Sequence, residues 1–209
     1  MRLISLLLFI SLINLFAEGQ ISGSVPLPQE KKKSIPIGKY RGQISGKVSL
    51  PPPVIAAIWL ESASLSAPAN PPTFTLTQAN YQFTQHLLVI PLGSSVSFPN
   101  TDPDYHNIFS LSKAKRFDLG RYKPKEKPIP KVTFDKLGFI KLRCEIHDHM
   151  KANIVVVDSP YFTTSDDSGQ FSLKSIPAGN YTLHAQVDSK TSWQTSVTIE
   201  NKKTSRINF

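Results

Sequence analysis

The run Gly138-Phe139-Ile140-Lys141-Leu142-Arg143-Cys144 alternates apolar and charged side chains. A period of two belongs to a strand with one face in a core, and it directs Ile140, Leu142 and Cys144 inward. After a short connection, Ala152-Asn153-Ile154-Val155-Val156-Val157 is apolar and β-branched, which reads as a second strand. The connection is therefore pinned at both ends, and the directions of its side chains are fixed in advance. It carries His147 midway between Cys144, the only cysteine among the 209 residues, and Met150, the only methionine besides Met1.

Seventeen prolines, ten glycines and many Thr, Val, Ile and Phe residues favour strands, and no long stretch has a helical apolar period. The fold class expected is all-β. Met1-Arg2 followed by the apolar run Leu3 to Phe16 reads as a signal peptide, residues 1–19, cleaved near Ala17 or Gly19. The run is too short to span a bilayer, and no cysteine follows it to take a lipid. The mature chain is thus expected to be exported to a periplasm and not to span the membrane. In an oxidising compartment a single cysteine must be shielded, reactive or metal-bound. A thiolate, two imidazoles and a weak thioether in a rigid β frame are the ligands of a one-copper electron-transfer site.

Tyr105-His106-Asn107-Ile108-Phe109 and Arg143-Cys144-Glu145-Ile146-His147-Asp148-His149-Met150 together resemble the cupredoxins, and the Cys-x-x-His-x-x-Met spacing is most similar to amicyanin and the plastocyanin-like proteins. The resemblance covers roughly Pro72 to Asp158. It implies a Greek-key β-sandwich holding one type-1 (blue) copper, with His106, Cys144 and His147 equatorial and Met150 axial. It also implies that Asn107 ties the His segment to the Cys loop and helps donate a hydrogen bond toward the sulfur. Such a protein carries single electrons between redox partners, with the ring edge of His147 as the route. Asp148 and His149 stand where amicyanin-like loops are apolar, which shifts weight away from an apolar docking mode.

Four other readings stay open on the residues alone. Copper storage or delivery is one, although such sites usually expose several Met or His residues for exchange. Cys144, His106, His147 and His149 would make a tetrahedral zinc set. A β-sandwich also serves as a non-redox binding or scaffolding module. An enzyme is the least supported. Multicopper oxidases and copper nitrite reductases place a His beside the type-1 cysteine, whereas Arg143 and Glu145 flank Cys144. No nucleophile, base and oxyanion donors form a pattern either.

The formal net charge is +9. No recognition helix or aromatic-basic stripe accompanies it, so nucleic acid is not the expected partner. Lys113, Lys115, Arg116, Arg121, Lys123, Lys125, Lys127 and Lys131 crowd the connection between the two ligand segments. They suit docking of an acidic redox partner, near His147 or at the 113–131 segment, where charge raises the encounter rate.

From Tyr161 the texture changes. Ser165-Asp166-Asp167-Ser168-Gly169-Gln170-Phe171 and Ile176-Pro177-Ala178-Gly179-Asn180-Tyr181 resemble the turns of the carboxypeptidase regulatory-like (transthyretin-like) β-sandwich. Residues 159–209 are expected to form that smaller sandwich, and 64–158 the copper-binding domain. The motif Gly19-Gln20-Ile21-Ser22-Gly23 returns as Gly42-Gln43-Ile44-Ser45-Gly46. Only the second copy runs on into the apolar Val54 to Leu60, so residues 41–63 are read as the first strands of the smaller sandwich and 20–40 as a linker or arm. On that reading the copper unit is inserted in the sandwich; a simple tandem is the alternative.

Overall fold

A computed structural model of the chain describes residues 18–28 and 53–209. Among these residues every regular element is a strand, and no helix is long and apolar enough to cross a membrane. Two strands come first, β1 (Gly19–Ser24) and β2 (Ala57–Glu61). Ten follow: β3 (Thr73–Thr75), β4 (Gln78–Ala79), β5 (Gln82–Phe83), β6 (Leu87–Pro91), β7 (Ser95–Ser97), β8 (His106–Leu111), β9 (Arg116–Tyr122), β10 (Lys131–Thr133), β11 (Gly138–Arg143) and β12 (Lys151–Val157). The last five are β13 (Phe162–Thr164), β14 (Gln170–Ile176), β15 (Gly179–Gln186), β16 (Ser192–Ile199) and β17 (Thr204–Asn208).

The middle ten make the larger sandwich. A five-stranded sheet in the order β6-β12-β11-β8-β9 faces a three-stranded sheet β10-β7-β3, and β4-β5 is a separate hairpin. Ile90, Phe98, Ile108, Phe134, Ile140 and Ile154 are fully buried between the layers. Ile140, Leu142 and Cys144 point into this core while Lys141 and Arg143 stay exposed, as the alternation predicts.

The remaining seven strands make the smaller sandwich, from sheets β14-β1-β17 and β13-β2-β15-β16. Because β2 lies between β13 and β15, the larger unit interrupts this sandwich in sequence. The two sandwiches meet sheet to sheet: Ala57 and Trp59 of β2 pack with Leu87 and Val89 of β6 and Val155 and Val157 of β12. Ile90, Ile154 and Val156, on the opposite faces of β6 and β12, fill the larger core. Both faces of these strands are covered, which is why Ile154 to Val157 runs on without alternating.

One expectation is corrected. The first Gly-Gln-Ile-Ser-Gly copy is no arm. It is β1, central in its sheet, antiparallel to β14 and parallel to β17, with Ile21 fully buried. Both edges of its backbone are paired, so it cannot be a loose segment. The second copy lies outside the described residues, as do the rest of residues 29–52 and the signal-peptide reading over residues 1–17. The basic stretch between His106 and Cys144 contains a strand: β9 pairs along β8, with Phe117 and Leu119 leaning on the core and Arg116, Asp118 and Arg121 outward.

Candidate metal centre

His106 begins β8, Cys144 directly follows β11, and Met150 directly precedes β12. The loop from Cys144 to Met150 is closed by two backbone bonds, Cys144 N–H to Met150 O at 3.3 Å and Met150 N–H to His147 O at 2.9 Å. Tied this way, the loop turns His147 back over Cys144. The Sγ atom is 3.9 Å from His106 Nδ1 and 3.8 Å from His147 Nδ1, and the two Nδ1 atoms are 3.1 Å apart. His106, Cys144 and Met150 are buried, while His147 is partly exposed. Met150 shares the core cluster with Cys144.

These three donors fit a metal. An ion about 2.0 Å from each imidazole nitrogen and about 2.3 Å from a thiolate sulfur meets the three separations with angles of roughly 100° between the nitrogens and roughly 125–130° to the sulfur. Two imidazoles and a cysteine sulfur, with Met150 in the same core cluster, are donors that suit copper, whereas a structural zinc takes four donors in a tetrahedron. His149 does not join the cluster. It is exposed and its Nε2 bonds the Tyr81 carbonyl at 2.9 Å.

Asn107 links the two ligand segments, accepting from Glu145 N–H at 3.3 Å. Its amide group donates to Asp118 at 2.6 Å rather than toward the sulfur. Two further residues escape a reading of the sequence. Asp102, buried in the loop before β8, accepts from His106 Nε2–H at 2.8 Å. This fixes the tautomer and turns the Nδ1 lone pair toward Cys144 and His147. Tyr81 sits at the tip of the β4-β5 hairpin, where Asn80 and Tyr81 have φ of 55° and 58°. Two successive positive φ values make the tight turn that hairpins favour. Its ring stands edge-on to His147 and His106, with centroids 5.2 and 6.0 Å away, and its hydroxyl donates to Asp104. An Asp four residues before a ligand His is the only signal for the first; nothing in the sequence marks the second.

Desolvation, with the neighbouring His106 and His149, holds the His147 imidazole below its ordinary value of 6.5; Asp104 and Asp102 oppose this. The ring is thus poised neutral, as a metal ligand must be. Because its folded pKa is depressed, the unfolded chain binds more protons just below pH 6.5, so stability falls as the pH drops through the folded value. Urea midpoints of the metal-free protein between pH 5 and 8 should rise up to about pH 6.5. His147→Gln should flatten that part of the slope.

Residues 150–209 match the family model of the carboxypeptidase regulatory-like domain. The matched span starts at β12 of the larger sandwich and omits β1 and β2, which complete the smaller one. No curated protein sequence matches the chain. Among solved structures, a methionine-to-alanine variant of amicyanin with Cu(I) is 17% identical, with 41% of this chain and 82% of that one covered and a TM-score of 0.38. A reduced Cu(I) form at pH 4 of a proline-to-glycine amicyanin variant is 19% identical over 48% of this chain and 98% of that one, also with a TM-score of 0.38. The copper-containing nitrite reductase of Thermus scotoductus SA-01 is 25% identical over 41% of this chain and 22% of that one, with a TM-score of 0.39. The chain, all-β among the described residues, is similar in part to these copper proteins, and its C-terminal 60 residues match the carboxypeptidase regulatory-like domain.

Proposed function

We infer that this protein is an exported type-1 copper protein that carries single electrons between redox partners and is not itself an enzyme. The observation that supports this most directly is the close convergence of His106 Nδ1, His147 Nδ1 and Cys144 Sγ, all within 3.9 Å of one another. Met150 is the proposed axial ligand, from its place at the end of the closed loop. Copper held there supplies a one-electron couple. The chain's own contribution is rigidity: β8, β11 and β12 fix the donors whether or not the charge at the centre changes, so little rearrangement opposes transfer. His147, the one partly exposed donor, is the proposed route for the electron. Export follows from the leader, and cleavage after Ala17 is the reading that leaves β1 whole, since Gly19 is paired with Ile176 and Glu18 O accepts from Lys202.

The test is Cu(II) addition to the mature protein, followed by visible and EPR spectra and a redox titration. An intense visible band, a narrow copper hyperfine splitting and a reversible one-electron couple are expected. A colourless complex, or zinc bound in preference with tetrahedral geometry, would overturn the reading.

The partner proposed is an acidic redox protein. Arg116 lies opposite Leu111 while Tyr122 lies opposite His106, five residue steps away, so Lys113, Lys115 and Arg116 are about 17 Å down the strand from the metal end. Lys115 is moreover paired with Asp135 at 2.9 Å. Lys123, Lys125 and Lys127 follow Tyr122, are exposed, and the Lys125 N–H bonds Asn100 O in the loop before His106. Reversing these three to Glu should slow electron exchange with an acidic partner by about tenfold or more at low salt. The difference should shrink at high salt, whereas Lys113, Lys115 and Arg116 reversals should matter less.

A further inference from the structure

We propose that Asp102 is a positioning residue that biases the centre toward the divalent state of its metal; this rests on the copper reading above. Its Oδ2 atom accepts two bonds, from His106 Nε2–H at 2.8 Å and from Tyr81 N–H at 3.0 Å. Its own N–H donates to Asn100 Oδ1 at 3.0 Å. Asn100 in turn donates to Asp104 O at 2.8 Å, and both Asn100 and Asp102 are buried. The carboxylate is therefore held by two donors on one oxygen, and the backbone behind it is held by Asn100.

Two consequences follow from charge and from geometry. A carboxylate on the far nitrogen makes the imidazole a stronger donor and locks its orientation. Together with the Cys144 thiolate it also brings two buried negative charges to the site. A divalent ion leaves that buried set neutral, and a monovalent ion leaves it one charge negative, which is the costlier arrangement in a low-dielectric interior. The carboxylate thus stabilises Cu(II) more than Cu(I) and lowers the reduction potential. Oδ2 also binds the hairpin tip, so the same atom sets His106 and seats the Tyr81 ring against both imidazoles.

The test compares wild type with Asp102→Asn, whose amide oxygen still accepts from His106 and Tyr81 but carries no charge. The readouts are Co(II) affinity by chelator competition and the copper reduction potential. Asp102→Asn should keep the visible band and weaken Co(II) binding by about 10–100-fold. The potential should rise by about 59 mV for each tenfold by which Cu(II) is weakened more than Cu(I). Asp102→Glu, which keeps the charge, should restore most of the potential; a purely steric role would leave it as damaging as Asn. Unchanged affinity and potential in Asp102→Asn overturn the proposal. Should that variant not fold, Asp102→Glu carries the test alone, since a wild-type potential with weakened Co(II) binding supports a charge effect and a risen potential overturns it. A wild-type protein that binds Co(II) but gives no blue copper spectrum sinks the copper reading itself, and this inference with it.

Discussion

Cys144→Ser is expected to abolish the intense visible band of the copper-loaded protein completely and to widen the copper hyperfine splitting, because the thiolate supplies both features. Cu(II) affinity should fall on the order of 100-fold or more, beyond the 10–100-fold that an outer partner costs. The fold should survive. Cys144 is buried just after β11 with its N–H bonded to Met150 O, and serine, slightly smaller, keeps that backbone bond. Placing a hydroxyl there costs about 1–3 kcal/mol, within reach of a domain of this size. Far-UV circular dichroism and urea unfolding of the metal-free variant separate loss of the ligand from loss of the fold. A Cys144→Ser protein that stays blue would mean that the metal binds elsewhere and would remove the central triangle from the account.

The convergence of Cys144 and His147 is legible because two local rules reinforce one another. The alternation of Ile140, Leu142 and Cys144 fixes which way the sulfur points, and a short loop between two strands fixes where His147 returns. His106, 38 residues upstream of Cys144, was reachable only through resemblance, since nothing local says which strand β8 lies beside. Asp102 and Tyr81 were illegible for a different reason. Tyr81 reaches the site because a hairpin of two-residue strands folds its tip over the metal end, anchored by Tyr81 N–H on a carboxylate 21 residues away. That placement depends on tertiary contacts such as the buried Gln78 side chain on Tyr122 Oη, which no periodicity announces. Similarly, the apolar run after Val54 argued for the second Gly-Gln-Ile-Ser-Gly copy as the strand, but β2 owes its apolar character to burial on two faces, not to the segment before it.

Gly23→Ala should be the most damaging single change in the smaller sandwich. A Cβ at Gly23 would lie 1.7 Å from Ile207 O and 2.7 Å from its carbonyl carbon, both backbone atoms of β17. No rotamer relieves that contact; β17 has to move away from β1, and the parallel pairing from Gln20 to Ser24 goes with it. The expected cost is about 3 kcal/mol or more, at the upper end for overpacking. It should appear as a lowered urea midpoint and as faster amide exchange along β17. Gly120→Ala is the contrast: its φ of +66° disfavours a side chain, but a Cβ there meets nothing within 4 Å, so about 1 kcal/mol is expected. Because the larger core is built from other strands, Gly23→Ala should leave the copper spectrum unchanged while it loosens the smaller sandwich. Gly46→Ala, at the matching place in the second copy, decides between the repeats. A harmless Gly23→Ala beside a damaging Gly46→Ala would put the second copy in the central slot; the reverse is expected, since in β1 the glycine and the β17 carbonyl already stand face to face.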